Sequence, residues 1–264
     1  MKQITSAKNP LFKDIKSIAH TAKARRERAV AFIEGVHLSE SFLAARCIPV
    51  WCIVSESALD NTEVKSIVDR CNAQGVEIVL LGDSLFAAMS TVETAVGVAL
   101  VVSVSSMLPS VPITENALIL DDVQDPGNVG TILRTAAAAG VKEIYCSPAT
   151  ASLWSPKVLR AGMGAHVALK LHEQCDIRQL IEAAKLPVFA TSLDTQTTLY
   201  ESDVSKGAVW VFGNEGQGVS SDILMMPQVR KVFIPQTSGV ESLNVAAATA
   251  VCLFEQRRQQ LLSR

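Results

Sequence analysis

Apolar runs and helically spaced apolar residues alternate along the second half of the chain. Six runs have the composition of buried strands: 117–121, 143–147, 166–171, 188–193, 208–213 and 231–235. Helical spacing predicts helices at 129–139, 155–162, 177–185, 220–226 and 242–262. Such alternation is typical of a parallel sheet covered by helices on both faces. We therefore predict an α/β fold here and expect a ligand beyond the carboxyl ends of the strands.

A similar alternation occupies the first hundred residues. The pattern predicts helices at 10–28, 37–45, 62–73 and 84–90, and strands at 31–35, 50–54, 77–81 and 96–102. The uncharged segment 103–114 is rich in Ser and Pro and is typical of a linker. We therefore predict two domains, a smaller α/β domain at 1–105 and a larger one at 113–264.

Composition narrows the class of protein. The chain has 264 residues, of which 48% are hydrophobic and 19% charged, so it can bury two cores and global disorder is excluded. No apolar run reaches the roughly 18 residues of a membrane helix, and the basic N-terminus lacks a signal peptide's apolar stretch. We expect a cytoplasmic protein without a membrane partner. Six cysteines without a C-x-x-C pair and four scattered histidines predict free thiols and no metal site.

The net charge of −2 conceals an uneven distribution. Residues 1–28 carry only two acidic side chains against eight basic ones: Lys2, Lys8, Lys13, Lys16, Lys23, Arg25, Arg26 and Arg28. A basic arm on an acidic body can bind nucleic acid through phosphates. A solvated helix face explains the same charges equally well, so charge alone does not decide.

The first motif spans residues 120–140. A predicted strand ends at Asp121, and a turn leads into a helix for which Asn128 is the expected N-cap and Gly140 the expected C-cap. Asn128 and Arg134 lie less than two turns apart, so both can face the same strand end. Taken alone, this motif favours a capping Asn and a solvent-exposed Arg.

The second motif follows the strand at 208–213. Its sequence is Gly213-Asn214-Glu215-Gly216-Gln217-Gly218, in which the glycines let backbone amides approach a ligand. The spacing is G-x-x-G-x-G rather than the dinucleotide pattern G-x-G-x-x-G, which disfavours a nicotinamide cofactor. A simpler interpretation of Glu215 is that it begins the next helix near its positive end.

The third motif spans residues 233–259. A predicted strand ends at Pro235, a polar loop holds Ser238 and Gly239, and residues 242–244 open a long helix. The free amides of a helix start can bind a ligand. A core helix with a polar cap is the alternative.

Together, and in this order, the three motifs resemble the SpoU, or TrmH-like, RNA ribose 2′-O-methyltransferases of the SPOUT superfamily. The matching residues are Asn128 with Arg134, Phe212-Gly213-x-Glu215-x-x-Gly218, and Ile234-Pro235 through Ser242-Leu243-Asn244-Val245. The resemblance covers the second domain. The first domain resembles the family's ribosomal-protein-L30e-like substrate-binding domain through Ser6-x-x-Asn9-Pro10 and Phe32-x-Glu34-Gly35.

The resemblance implies a parallel-sheet SPOUT domain with a deep C-terminal trefoil knot, an exception to the usual absence of knots. It implies S-adenosylmethionine as cofactor, with binding residues at Leu193, Gly213, Gly218, Ile234 and Leu243. It also implies a homodimer paired through the knotted domain. Segments 154–162 and 242–262 are candidate interface elements, although packing within the domain would explain them too.

The implied reaction is in-line attack of a ribose 2′-hydroxyl on the cofactor's methyl group. The implied catalytic residues are Asn128, Arg134, Glu215, Ser242 and Asn244. Because a guanidinium stays protonated in proteins, we expect Arg134 to grip a phosphate and favour loss of the hydroxyl proton rather than act as a base. Asn128 would orient Arg134 or the ribose, and Glu215 would fix Arg134 or the loop. Ser242 and Asn244 would complete the network on the hydroxyl side.

The implied substrate is RNA, and a separate first domain favours rRNA over tRNA. The predicted RNA-contacting residues are Lys8, Arg25, Arg26 and Glu34. Two alternatives stay open, a tRNA 2′-O-methyltransferase and a non-catalytic RNA-binding factor in ribosome assembly. The presence of all five catalytic residues argues against the non-catalytic alternative.

Overall fold

The computed structural model describes residues 1–104, 111–237 and 242–263. The chain forms two compact units, one made of residues 1–105 and 154–167, the other of residues 106–153 and 168–264. Residues 105–110 of the predicted linker, and Ser238 and Gly239 of the predicted polar loop, lie outside the described residues.

A five-stranded mixed sheet forms the centre of the first unit. Its strands are β1 (Lys2–Ile4), β2 (Val30–Glu34), β3 (Pro49–Ser55), β4 (Glu77–Leu81) and β5 (Val98–Ser103), in the order β1-β4-β3-β5-β2. Its helices are α1 (Pro10–His20), α2 (Ala22–Arg28), α3 (Val36–Ala44), α4 (Thr62–Ala73) and α5 (Asp83–Met89). Two apolar cores form, one on each face of the sheet, because alternate residues of β2 enter different clusters.

The predicted helix at 10–28 is two helices, α1 and α2, which meet at Thr21. Thr21 has extended backbone angles, and its hydroxyl donates to the carbonyl of Ser17 and accepts from the amide of Ala24. The side chain therefore closes one helix and opens the next. Strand β1 was not predicted, because in three residues only Ile4 is buried and no alternation can be recognised.

A six-stranded sheet forms the centre of the second unit. Its strands are β6 (Ala117–Asp121), β7 (Glu143–Cys146), β8 (Lys170–His172), β9 (Val188–Thr191), β10 (Val209–Gly213) and β11 (Val229–Val232). Helices α6 (Pro126–Ala139), α8 (Ile177–Ala183), α9 (Ser221–Leu224) and α10 (Val245–Leu262) belong to this unit, whereas α7 (Pro156–Gly162) belongs to the first. None of the helices in the described ranges is long and apolar enough to cross a membrane.

The prediction of a parallel sheet is confirmed. Every strand pair is parallel, in the order β11-β9-β10-β6-β7-β8. Strands β6 and β10 are buried along their whole length and lie side by side at the centre. In open sheets of this kind, ligands bind beyond the carboxyl ends of the central strands.

Two predicted strands of the second unit were partly wrong. Residues Ala165–Ala168 form a 3₁₀ turn after Gly164, and only Lys170–His172 pair with β7. Strand β11 ends at Val232 rather than at Pro235. Phe233 leaves the sheet because its backbone bonds to Thr197 and Leu199 instead of to β9.

Two predicted helix starts were also wrong. Helix α6 begins at Pro126, and its N-cap is Asp125, whose carboxylate accepts the amide of Asn128 at 2.9 Å. Proline at the first helical position after an Asp was the signal for this start. Helix α10 begins at Val245 rather than 242, because Asn244 is its N-cap. Gly140 is the C-cap of α6, as predicted, with a φ of 85°.

Segment Trp154–Val167 departs from the predicted domain boundaries. It lies between β7 and β8 in the sequence but packs in the first unit. Leu159 is fully buried in the core formed by β2–β5, α3 and α4, with Trp154 packed against it. Arg160 donates to the hydroxyl of Thr91 at 2.9 Å. Leu159 and Trp154, two of the predicted interface residues at 154–162, thus pack within this unit.

Candidate active site

A cavity of about 480 Å³ lies beyond the carboxyl ends of β9, β10 and β11. Its walls come from residues 191–194, 213–219 and 232–234, from Gln236, and from the start of α10. All five residues predicted to bind a cofactor line it: Leu193, Gly213, Gly218, Ile234 and Leu243. A volume of this size, with mixed apolar and polar walls, is ordinary for a small-molecule site.

The loop after β10 is shaped by the side chain of Asn214. Its Oδ1 accepts the amides of Gly216 at 2.9 Å and Gln217 at 3.2 Å, and its Nδ2 donates to the carbonyl of Asp122 at 3.0 Å. A Cβ at Gly213 would lie 2.1 Å from the backbone of Gly218. Gly213 is therefore needed for a close crossing within the loop, and this packing reason was not foreseen.

A hydrogen-bonded network borders the cavity. The Glu215 carboxylate accepts the backbone amides of Gln124 and Asp125 at 3.1 and 3.0 Å, and the side-chain amide of Asn128 at 3.0 Å. Asn244 donates to Asn128 Oδ1 at 2.9 Å, and its own Oδ1 accepts the first amides of α10. Three predicted catalytic residues, one from each motif, thus lie in one chain of bonds.

These bonds set the ionisation of Glu215. Burial disfavours its charged form, but the donors on Asn128, Asp125 and Gln124 outweigh that cost and lower the pKa of the carboxyl below its ordinary value. Glu215 is therefore an anion at neutral pH, fixed by three donors. This arrangement suits a residue that holds the turn before α6, and in the described part of the chain Glu215 makes no bond to Arg134.

Ser242 and Arg134 stand apart from the network. Ser242 is exposed and lines the cavity. Arg134 is exposed on α6, is not among the cavity-lining residues, and makes no ion pair or hydrogen bond within the described ranges. Its guanidinium is therefore available to a partner that is not part of this chain.

The predicted RNA-contacting residues differ in accessibility. Lys8 and Arg26 are exposed. Arg25 is 6% exposed and donates to the last carbonyls of α1, at Ile18 and Ala19. The prediction that Arg25 meets RNA does not fit this burial, because its charge closes a helix end.

Glu34 is buried as well, at 7% exposure. Its carboxylate accepts hydrogen bonds from the hydroxyl of Ser90, the hydroxyl of Thr91 and the backbone amide of Thr91. Its predicted RNA contact likewise does not fit, because both oxygens are occupied in anchoring the loop after α5. No group of three or more potential metal-ligating side chains occurs among the described residues.

Several residues of the site were missed from the sequence. Asn214 shapes the cavity loop, Asp125 caps α6, and the buried carboxylate of Asp121 accepts the amide of Ser220 at 2.8 Å. Asn214 follows Gly213, and Asp125 precedes a proline at the first helical position, so signals for a turn and for a helix cap were present in the sequence. Nothing in the pattern could reveal Asp121, because its partner is 99 residues away.

Comparison with known proteins agrees with this geometry. Residues 115–254 match the model of the SpoU rRNA Methylase family. An uncharacterized tRNA/rRNA methyltransferase of Synechocystis is 36% identical, over 97% of this chain and 94% of that protein. The 23S rRNA (guanosine(2553)-2′-O)-methyltransferase of Bacillus subtilis is 31% identical, over 97% of this chain and all of that protein.

A solved structure is similar over nearly the same length. The AdoMet-bound rRNA methyltransferase of Sinorhizobium meliloti is 28% identical, with a TM-score of 0.82 over 97% of both chains. The fold, the three motifs and these relatives agree, and the chain belongs to the SpoU rRNA methylase family.

Proposed function

We propose that this protein transfers the methyl group of S-adenosylmethionine to a ribose 2′-hydroxyl of ribosomal RNA. One observation carries the proposal: the second and third motifs line one cavity, and the first motif is bonded to both through the network of Glu215, Asn128 and Asn244. One full-length relative is named as a 23S rRNA 2′-O-methyltransferase, and the other as an uncharacterized tRNA/rRNA methyltransferase.

The cavity fits the cofactor in size and chemistry. Ile234, Leu243 and Val219 offer apolar surface for a flat base, and the loop at 213–218 offers backbone groups. Leu193, Gly213, Gly218, Ile234 and Leu243 would hold the cofactor, which when bound supplies a methyl group on a sulfonium. The close packing of Gly213 against the backbone of Gly218 keeps the cavity walls in place.

Arg134 would act on the RNA. Its exposed guanidinium can pair with a phosphate beside the reacting ribose and stabilise the developing negative charge on the 2′-oxygen. The proton then leaves to solvent or to another acceptor, because Arg134 itself stays protonated. Ser242, exposed at the cavity, would contact the ribose.

The network of Glu215, Asn128 and Asn244 would position these groups. It ties the turn before α6, which carries Arg134, to the start of α10, which forms a wall of the cavity. Because all three side chains bond to one another or to backbone, their role is orientation rather than proton transfer.

The first unit would bring the RNA, as an L30e-like substrate-binding domain. Exposed Lys8 and Arg26 can neutralise phosphates, which gives affinity without sequence readout. The rRNA preference rests on the names of the relatives and on the size of this unit. We also propose a cytoplasmic location for the protein.

We further propose a homodimer formed through the second unit. Helix α10 exposes Phe254 (48%), Leu261 (58%) and Leu262 (74%). Exposed apolar residues repeated along one helix are a common protein contact surface. A second copy covering α10 would bury them, and sedimentation of a Phe254→Glu variant tests this contact.

The enzyme assay uses methyl-labelled S-adenosylmethionine with separate rRNA and tRNA pools. We expect label in rRNA, at a nucleotide that then resists alkaline cleavage as a 2′-O-methylated site does. Label found in tRNA alone would show that the substrate is tRNA instead of rRNA. Binding of RNA without any methyl transfer would favour a non-catalytic assembly factor.

A further inference from the structure

One polar atom in the cavity wall is left unsatisfied. The side-chain Oε1 of Gln236 is inaccessible to solvent and has no hydrogen-bond partner among the described residues. Gln236 lines the cavity beside Ile234 and Phe233. A buried carbonyl without a donor costs about 1–3 kcal/mol, so its retention points to a donor that arrives with a ligand.

Three other polar side chains of the wall already have partners. Asn214 bonds within its own loop, and Glu215 accepts three donors. The hydroxyl of Ser192 accepts the amide of Asp194. The Oε1 of the half-buried Gln236 is, by contrast, an inaccessible acceptor without a donor within the part of the chain described.

The cofactor has two halves with different chemistry. Its methionine half carries an ammonium and a sulfonium, cations that favour carboxylates such as those of Asp194 and Glu215. Its adenosine half offers only neutral donors, the exocyclic amine and the ribose hydroxyls. The inaccessible oxygen of a neutral side-chain amide suits the neutral donors.

We propose that Gln236 accepts a hydrogen bond from the adenosine half of the cofactor and so helps select it. The inference rests on the proposed function, since it assumes that the cavity holds S-adenosylmethionine. Gln236 lies within the third motif but is not among the cofactor-binding residues predicted from it.

The test compares two ligands with a matched pair of variants. S-adenosylhomocysteine contains both halves, and 5′-methylthioadenosine contains the adenosine half alone. Calorimetry should show that Gln236→Met, similar in length but without the acceptor, weakens both ligands by about tenfold. Gln228→Met makes the same change at an exposed site outside the cavity and should leave both affinities within about twofold.

Stability gives an independent readout. Gln236→Met removes an unsatisfied acceptor, so its thermal unfolding midpoint without ligand should equal or exceed that of the wild type. Its ligand binding should nevertheless be weaker. If this variant misfolds, NMR of the wild-type protein still applies. The side-chain amide signals of Gln236 should then shift as much with 5′-methylthioadenosine as with S-adenosylhomocysteine.

The outcomes separate this inference from the proposed function. Absence of S-adenosylhomocysteine binding to the wild type would overturn the proposed function. Normal binding to the wild type, with 5′-methylthioadenosine equally tight on Gln236→Met, would overturn the role of Gln236 alone. S-inosylhomocysteine, which lacks the exocyclic amine, identifies the donor. If Gln236→Met no longer weakens binding of this ligand, the donor is the adenine amine; if binding is still about tenfold weaker, the donor is a ribose hydroxyl.

Discussion

Hydrogen bonding divides the individual site residues into two groups. Glu215, Asn128 and Asn244 have their polar atoms engaged with one another or with backbone. Arg134 and Ser242 are exposed and make no such bond within the described ranges. The first group therefore suits positioning, and the second is free to meet RNA.

Arg134→Ala tests this division. We expect methyl transfer to fall at least about a hundredfold, since a charge that stabilises the transition state is lost. Affinity for S-adenosylhomocysteine should stay within about twofold, because Arg134 does not line the cavity. Arg70→Ala, an equal charge change on the exposed face of α4, is the control. Loss of cofactor binding in Arg134→Ala would contradict this assignment.

Gly213→Ala tests the loop crossing. The added Cβ would lie 2.1 Å from the backbone of Gly218, which cannot move aside as a flexible side chain would. We expect a destabilisation of about 1–3 kcal/mol in urea unfolding and at least tenfold weaker cofactor binding. Gly82→Ala, whose nearest atom would be 3.9 Å away, should change neither quantity appreciably.

At the scale of elements, β7 and β8 are joined by a buried charged cluster. Glu143 accepts from Lys170 at 2.7 Å, bonds to His172 at 3.0 Å, and the rings of His172 and Tyr145 stack at 4.6 Å. Burial disfavours the Glu143 anion, but the bonds to Lys170 and His172 outweigh it and lower its pKa. The cluster thus fixes the edge strand of the sheet.

This cluster predicts a pH-dependent stability. Because the folded pKa of Glu143 lies below its ordinary value of 4.5, its contribution is complete above that pH and is lost as the pH falls through the lowered pKa. Glu143→Gln should lower the free energy of unfolding by about 1–3 kcal/mol at pH 7, and the deficit should shrink in acid. Exposed Glu182→Gln on α8 is the control. A deficit that is constant with pH would refute the electrostatic explanation.

At the scale of the whole molecule, the first unit is discontinuous in sequence. Leu159 and Trp154 complete its core although they lie between two strands of the second sheet. Leu159→Ala should therefore destabilise the first unit by about 2–5 kcal/mol, seen as an earlier step in thermal unfolding. Val167→Ala, in the same segment but 42% exposed, should have little effect. An unchanged first step for Leu159→Ala would show that the segment is dispensable to this core.

The elements that could be predicted from sequence are those whose signal is local. The central strands β6 and β10 are unbroken apolar runs, and both were located within one residue. Family and fold class are confirmed, because three strand-end motifs in fixed order are specific. The knot, the dimer and the residue roles stay predictions.

The predictions that did not fit depended on contacts that the sequence pattern does not reveal. His166 turns out of the predicted strand to pack on Trp154, with ring centroids 5.3 Å apart. Arg25 was predicted to contact RNA from its charge and Glu34 from its motif, yet each is buried against backbone or hydroxyl groups. Charge in a sequence does not reveal which groups the fold will cover.

Because residues 154–167 belong to the first unit, they limit how that unit can be exchanged for another in a chimeric protein. A single crossover near residue 105 would graft a foreign first half onto this chain but would leave Leu159 and Trp154 facing a core to which they were never fitted. Exchange of the first unit between related proteins therefore requires two coordinated replacements, one ending near residue 105 and one covering residues 154–167. Chimeras made at the linker alone should express poorly, whereas those that also carry the donor's 154–167 should be recovered.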